Sequence, residues 1–284
     1  MYILVIMWIT LFFLILLPVN LFAWGPETHI KIAFDILNNT NFSLIKNYQA
    51  FFIAGNIFPD LFNLFKDISK FKKSLPTHSW ETVSKLFNGS TSDSDRAFAY
   101  GYSAHLAADI VAHNHFVPQH TLLVNQTRFF SHFMLELATA ANDKKFRYTL
   151  IEILEKADIY GAVFLRNFNI DTKYFRREIF LIKNGIRLQN IAKIPEIVTY
   201  LKKNRDESFI VKSSMYEEKS IEVAKKAIES GFSDLMKYDP SGKNSIIKAK
   251  QMRKELISSF GKKQLKKYHK NTIFTSKFDP NNIG

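Results

Sequence analysis

With 284 residues, 46% of them hydrophobic, 27 Phe and only 10 Gly, the chain can bury one sizeable core and is too apolar to be disordered. It contains no cysteine, which excludes disulfides and thiolate metal sites, so any metal must be held by His, Asp, Glu or backbone atoms. A formal charge of +13 suits anionic partners, or simply a solvated basic face, and no RNA-recognition, zinc-finger or helix-turn-helix signature accompanies it.

Residues 1–23 form an apolar run closed by Pro18, Asn20 and a small residue, Ala23. This pattern predicts a secretory signal cleaved after Ala23; the alternative is an uncleaved membrane anchor, since the run nearly reaches spanning length. Export is expected in either case. From Thr28 to Leu37 apolar residues recur at helical spacing until Asn38-Asn39-Thr40. The apolar run 48–57 leads into Pro59-Asp60 and places Asp60 at a helix end or turn. Pro76 to Glu81 opens another helix, with Ser79 or Thr77 as its cap.

A polar loop over 89–95 precedes 96–117, which is apolar on most sides and reads as a buried central helix stopped by Pro118. Helices are expected over 122–141 and 146–168. Over 170–268 charged and apolar residues alternate at helical spacing, with breaks at Gly185, Pro195, Gly231 and Asp239-Pro240-Ser241-Gly242. Strand alternation persists nowhere, so the expected fold is all-α. The organisation is a 1–23 leader, a core over 24–168 and a basic helical C-terminal region over 169–284. Lys243, Lys248, Lys254, Lys262 and Lys263 carry part of that region's charge.

Seven of the eight histidines lie between Trp24 and His132. The sharpest stretch is His105-Leu-Ala-Ala-Asp109-Ile-Val-Ala-His113-Asn-His115, followed by His132-Phe-Met-Leu-Glu136. Residues four apart share a helix face, so His105, Asp109 and His113 stack along one stripe and His132 pairs with Glu136. Imidazole nitrogen and carboxylate oxygen are the ligands of a zinc site. A single His on an apolar face is more often a core residue, and His–Asp support along a helix gives the same spacing. Either explains one pair, but not the whole set.

The segments Trp24-Gly25-Pro26-Glu27-Thr28-His29, Ala54-Gly55-Asn56-Ile57-Phe58-Pro59-Asp60, Thr77-His78-Ser79-Trp80 and His105-Leu-Ala-Ala-Asp109 resemble the zinc-dependent phospholipase C family. They look most like its phospholipase C/D branch; the zinc-dependent single-strand nucleases share the metal plan. The resemblance implies an all-helical domain with up to three zinc ions. His78, His105, Asp60 and Asp109 would hold one, and His132, Glu136 and a His following Asp109 a second. That His is His113 by the four-residue spacing of the phospholipase D branch, or His115 by the six-residue spacing of the bacterial phospholipases and nucleases. Trp24, through its amino nitrogen and carbonyl, would hold the third with His29 and a bridging Asp109; only cleavage after Ala23 frees that amine.

The implied activity is hydrolysis of a phospholipid head-group phosphodiester by a metal-activated water, with Asp60 as base or orienting group. The rival readings are a nuclease or nucleotidase of the same fold and a non-catalytic zinc-binding envelope protein. The basic C-terminal region is a candidate contact for an anionic membrane surface. Trp80, Phe58, Phe62 and Phe116 fit either a substrate wall or the core.

Overall fold

The computed structural model of the chain describes residues 24–62, 65, 75–123, 145–191, 193, 196–200, 209–271 and 278–279. The expected leader 1–23, nearly all of the expected helix 122–141, and with it His132 and Glu136, lie outside the described residues. The protein is all-α, and no strand occurs among the described residues. In chain order the helices are α1 (Pro26–Asn39), α2 (Ser43–Asn47), α3 (Gln49–Leu61), α4 (Trp80–Asn88) and α5 (Asp93–Val111). A π-helical turn (Ala112–Phe116) leads into α6 (Val117–Leu123). Then come α7 (Phe146–Glu155), α8 (Ala157–Tyr160), α9 (Ala162–Asn167), α10 (Thr172–Ile191), α11 (Phe209–Glu229) and α12 (Lys243–Asn271). Among the described residues no helix is long and apolar enough to cross a membrane.

Local chemistry sets the helix starts. Pro26 opens α1, where its missing N–H would be unpaired anyway, and Thr40 closes that helix. Ser79, rather than Thr77, caps α4 by accepting from the Glu81 N–H at 3.2 Å. Ser92 caps α5 by accepting from the Asp95 N–H at 3.2 Å, and Asp93 and Asp95 complement the positive end of the helix.

α5 is the central helix, buried from Phe98 to Val111 except at Tyr100. α3 crosses one side of it, α11 another, and α1 bridges α3 and α11. The α3–α5 crossing is backbone on backbone. A Cβ at Gly55 would collide with the Phe98 carbonyl, and one at Gly101 with the Phe52 carbonyl, so the two glycines face each helix's partner in reciprocal fashion. Around the crossing runs one continuous core from Trp24 to Leu235, to which α11 adds Phe209, Tyr216, Val223 and Ala224. Helices beyond position 168 are thus built into the same core as the histidine-bearing helices.

Three sequence expectations are corrected. Pro118 does not end the helical path: the π-turn rearranges the hydrogen bonding ahead of it, and Pro118 sits in the first turn of α6, where no N–H is needed. The stretch 146–168 is three short helices, not one. It breaks at Lys156 and at Gly161, which lies so close over the Phe58 ring that a side chain there would clash. Gly185 lies inside α10, whereas Gly261, at φ 77°, interrupts α12. Phe58, Phe62 and Phe116 are core residues: the first two pack with Phe164 and Phe175, and the third with Trp24 and Tyr216.

The crossing yields a direct test. Gly101→Ala forces the α3 and α5 backbones apart and should lower unfolding stability by about 1–3 kcal/mol, the usual penalty of overpacking. Denaturant titration measures the loss, and zinc uptake should fall with it because α3 and α5 bring together the residues described next.

Candidate metal centre

Asp60 stands in the last turn of α3, His29 in the first half of α1, His78 just ahead of α4, and His105 and Asp109 one turn apart on α5. Their side chains meet at the centre of the protein. One ligand atom from each of Asp60, His78, His105 and Asp109 fits within 4.8 Å of the others. His78 Nε2 lies 3.1 Å from Asp60 Oδ1 and 3.3 Å from Asp109 Oδ2, and His105 Nε2 lies 3.2 Å from Asp109 Oδ2. His29 reaches the other oxygen of each carboxylate, with Nε2 3.4 Å from Asp109 Oδ1 and 3.9 Å from Asp60 Oδ2. Its ring stacks on that of His105 at 3.8 Å.

Two of these imidazoles have a defined tautomer or anchor. His105 Nδ1 lies 2.8 Å from the Asn56 carbonyl, which can only accept, so Nδ1 carries the hydrogen and Nε2 is left as a ligand. His78 Nδ1 lies 3.1 Å from the Thr77 hydroxyl, and the Thr77 carbonyl accepts from the Tyr102 phenol at 2.7 Å. Burial, and then the charge on Asp60, raise the Tyr102 pKa and keep it a donor. Such partners behind a metal ligand fix ring orientation and basicity. Sequence reading missed Asn56, although it lies one helical turn before Asp60 and so shares its face.

The electrostatics call for a cation. Asp60 and Asp109 are buried, at 2% and 1% exposure, and Asp60 Oδ2, both Asp109 oxygens and both His29 nitrogens make no hydrogen bond among the described residues. Burying carboxylate oxygens without partners is costly unless a positive charge faces them. Burial alone would lower the His78 pKa, but the pull of Asp109 and Asp60 outweighs it and raises the value to about 10. Burial would raise the Asp109 pKa, yet the facing imidazoles of His105 and His113 hold it well below the usual carboxylate range. His29 is shifted down, by burial and then by His105. The pull of both carboxylates on His78 marks the cluster as a place that favours positive charge. A cluster of two carboxylates and three imidazoles, with no sulfur, fits zinc.

The two histidines that the sequence offered as alternatives diverge. His113 Nε2 is 3.7 Å from Asp109 Oδ2, and its ring meets the His78 ring edge-on at 6.4 Å. His115 is turned instead towards the backbone of Phe278 and Asp279. The π-turn that holds both, closed by the Val117 N–H on the Ala112 carbonyl, separates their directions. Trp24 is fully buried; its indole N–H donates to Ser220 Oγ at 2.9 Å and its ring stacks on Phe116 at 4.7 Å. His120 is buried against Phe116 and Phe209, a core contact.

Fold and site together describe an all-α protein with a buried nitrogen-and-oxygen cluster that could hold a metal ion. Compared with known families, residues 28–180 match zinc dependent phospholipase C, and with more than half of its length matched the chain belongs to that family. The match contains His29, Asp60, His78, His105 and Asp109. Neither a comparison with curated proteins nor one with solved structures finds a match.

Zinc must displace the proton on His78, so its apparent affinity should rise with pH towards about 10 and fall on acidification, with proton release measurable by calorimetry in buffers of different ionisation enthalpy. His113→Ala should lower zinc content, while His115→Ala leaves the cluster's zinc in place; elemental analysis of the two purified variants decides.

Proposed function

We propose that the protein is an exported zinc-dependent phosphodiesterase of phospholipase C type that hydrolyses phospholipid head-group phosphodiesters. The observation that carries this reading is the buried Asp60–Asp109 carboxylate pair faced by His78 and His105, in a chain of the zinc-dependent phospholipase C family. When bound, zinc lowers the pKa of water towards neutrality and polarises phosphoryl oxygens.

The chain's own residues would supply the rest. Asp60 has one oxygen near His78 and the other without a hydrogen bond, which suits it to orient an attacking water and accept its proton. Thr77 and the Asn56 carbonyl keep the His78 and His105 rings in register. Asp109, with Oδ1 near His29 and Oδ2 near His78 and His105, would help to hold the metal and would supply negative charge to it from both oxygens. Cleavage after Ala23 would expose the Trp24 amine as a further ligand, and the buried Trp24 ring gives that terminus a fixed anchor. On α12 the exposed Lys243, Lys248, Lys254, Lys262 and Lys263 accompany exposed Ile247 and Phe260, a mixture suited to an anionic lipid surface.

The net charge of +13 also favours a nucleic-acid substrate, so the decisive assay sets phosphatidylcholine vesicles against single-stranded DNA, each with and without chelator. Phosphatidylcholine hydrolysis abolished by chelator and restored by zinc is the expected result. Preferential DNA cleavage would make the protein a nuclease, and no turnover of either with zinc retained would make it a binding protein. Asp60→Asn should lower kcat about 10²–10⁴-fold, the usual contribution of a general base, and parallel zinc analysis separates lost chemistry from lost metal. N-terminal sequencing of exported protein should return Trp24 as the first residue; a start at Met1 would remove the terminal-amine ligand.

A further inference from the structure

We propose that Asn114 is a positioning residue for the metal centre, held by a clamp over 238–245 that lies outside the region matched to the family. The proposal rests on the zinc reading above and extends it to residues outside the His/Asp cluster.

The turn that carries His113 is held partly from outside. Its closing bond runs from the Val117 N–H to the Ala112 carbonyl, and Pro118 has no N–H to offer the His113 carbonyl in the same pattern. π-helical turns are rare and occur mostly as single turns inside α-helices, often at functional sites. Here both ends of the Asn114 amide are used by the distant segment: Nδ2 donates to the Asp239 carbonyl at 2.8 Å, and Oδ1 accepts from Ser245 Oγ at 2.7 Å. Gly242, buried and at φ +56°, packs against the His113 carbonyl and Cβ so closely that any side chain would collide with them.

The clamp is itself braced. Asp239 accepts from the Ser241 N–H at 2.9 Å and from the Ser241 hydroxyl at 2.8 Å, which shapes the turn into Gly242. The Tyr238 carbonyl accepts from the Trp80 indole N–H at 3.1 Å, two residues beyond His78, and the Trp80 ring stacks on Phe232. One segment therefore backs the start of α4 beside His78 and the π-turn that carries His113, the two histidines whose rings meet edge-on. Releasing it should let His113 swing off the cluster.

The test uses the full chain and two readouts: zinc affinity by competition with a chromophoric chelator, and the absorption spectrum of the cobalt-substituted protein, which reports ligand geometry. Asn114→Ala and Ser245→Ala should each weaken one zinc about tenfold and alter the cobalt spectrum, as loss of a group behind a ligand does. Ser245→Thr keeps the hydroxyl and should restore both. If Asn114→Ala does not fold, the two Ser245 variants decide. A lowered melting temperature with unchanged zinc affinity and cobalt spectrum would make the clamp merely structural and overturn the proposal. Wild-type protein that takes up no zinc would overturn the zinc reading along with it, whereas zinc bound equally by wild type and variants overturns the clamp alone.

Discussion

The metal centre depends on two glycines that let α3 and α5 cross with their backbones in contact. Gly55 and Gly101 each face the partner helix's carbonyl, and no other residue fits at that approach. The crossing brings the Asn56 carbonyl within 2.8 Å of His105 Nδ1 and sets Asp60 opposite Asp109. A wider crossing would break the tautomer-setting bond and spread the carboxylates. The geometry of the site is thus inherited from helix packing, which is stiffer than any loop.

Given that geometry, electrostatics determines what the site can hold. Two carboxylates at 2% exposure or less are stable only beside positive charge, and surrounding imidazoles supply it conditionally, through a proton on His78. A divalent cation supplies it more completely and leaves each imidazole neutral. The same low-dielectric setting that makes unpaired carboxylates costly strengthens their attraction to a metal. Orientation comes from neutral groups: the Asn56 carbonyl, the Thr77 hydroxyl and the Tyr102 phenol.

The C-terminal half belongs to this construction rather than standing beside it. α11 packs along α5 and receives the Trp24 indole on Ser220, while the segment before α12 lies against the turn that carries His113. α12 then packs on α6 and the π-turn and presents lysines to solvent. Residues outside the family match thereby complete the enclosure of residues inside it.

Helical periodicity was enough to read the all-α class, the capping role at Ser79 or Thr77 and the shared stripe of His105, Asp109 and His113, because each depends on residues within a turn or two of one another. Asp60 was legible at a helix end or turn from the apolar run that leads into Pro59, and it stands in the last turn of α3. The stacking of His29 on His105 and the Asn56 contact were not, because they arise where separate helices meet and leave no periodic trace. Face geometry favoured His113 over His115, and the structure keeps His113 3.7 Å from Asp109. The π-turn itself left no trace in the local spacing; its Asn114 is hydrogen-bonded to Asp239, 125 positions further on. Local spacing determined which residues could form a metal site; the crossing of α3 and α5 decided which of them meet, since only tertiary packing can hold two buried carboxylates side by side.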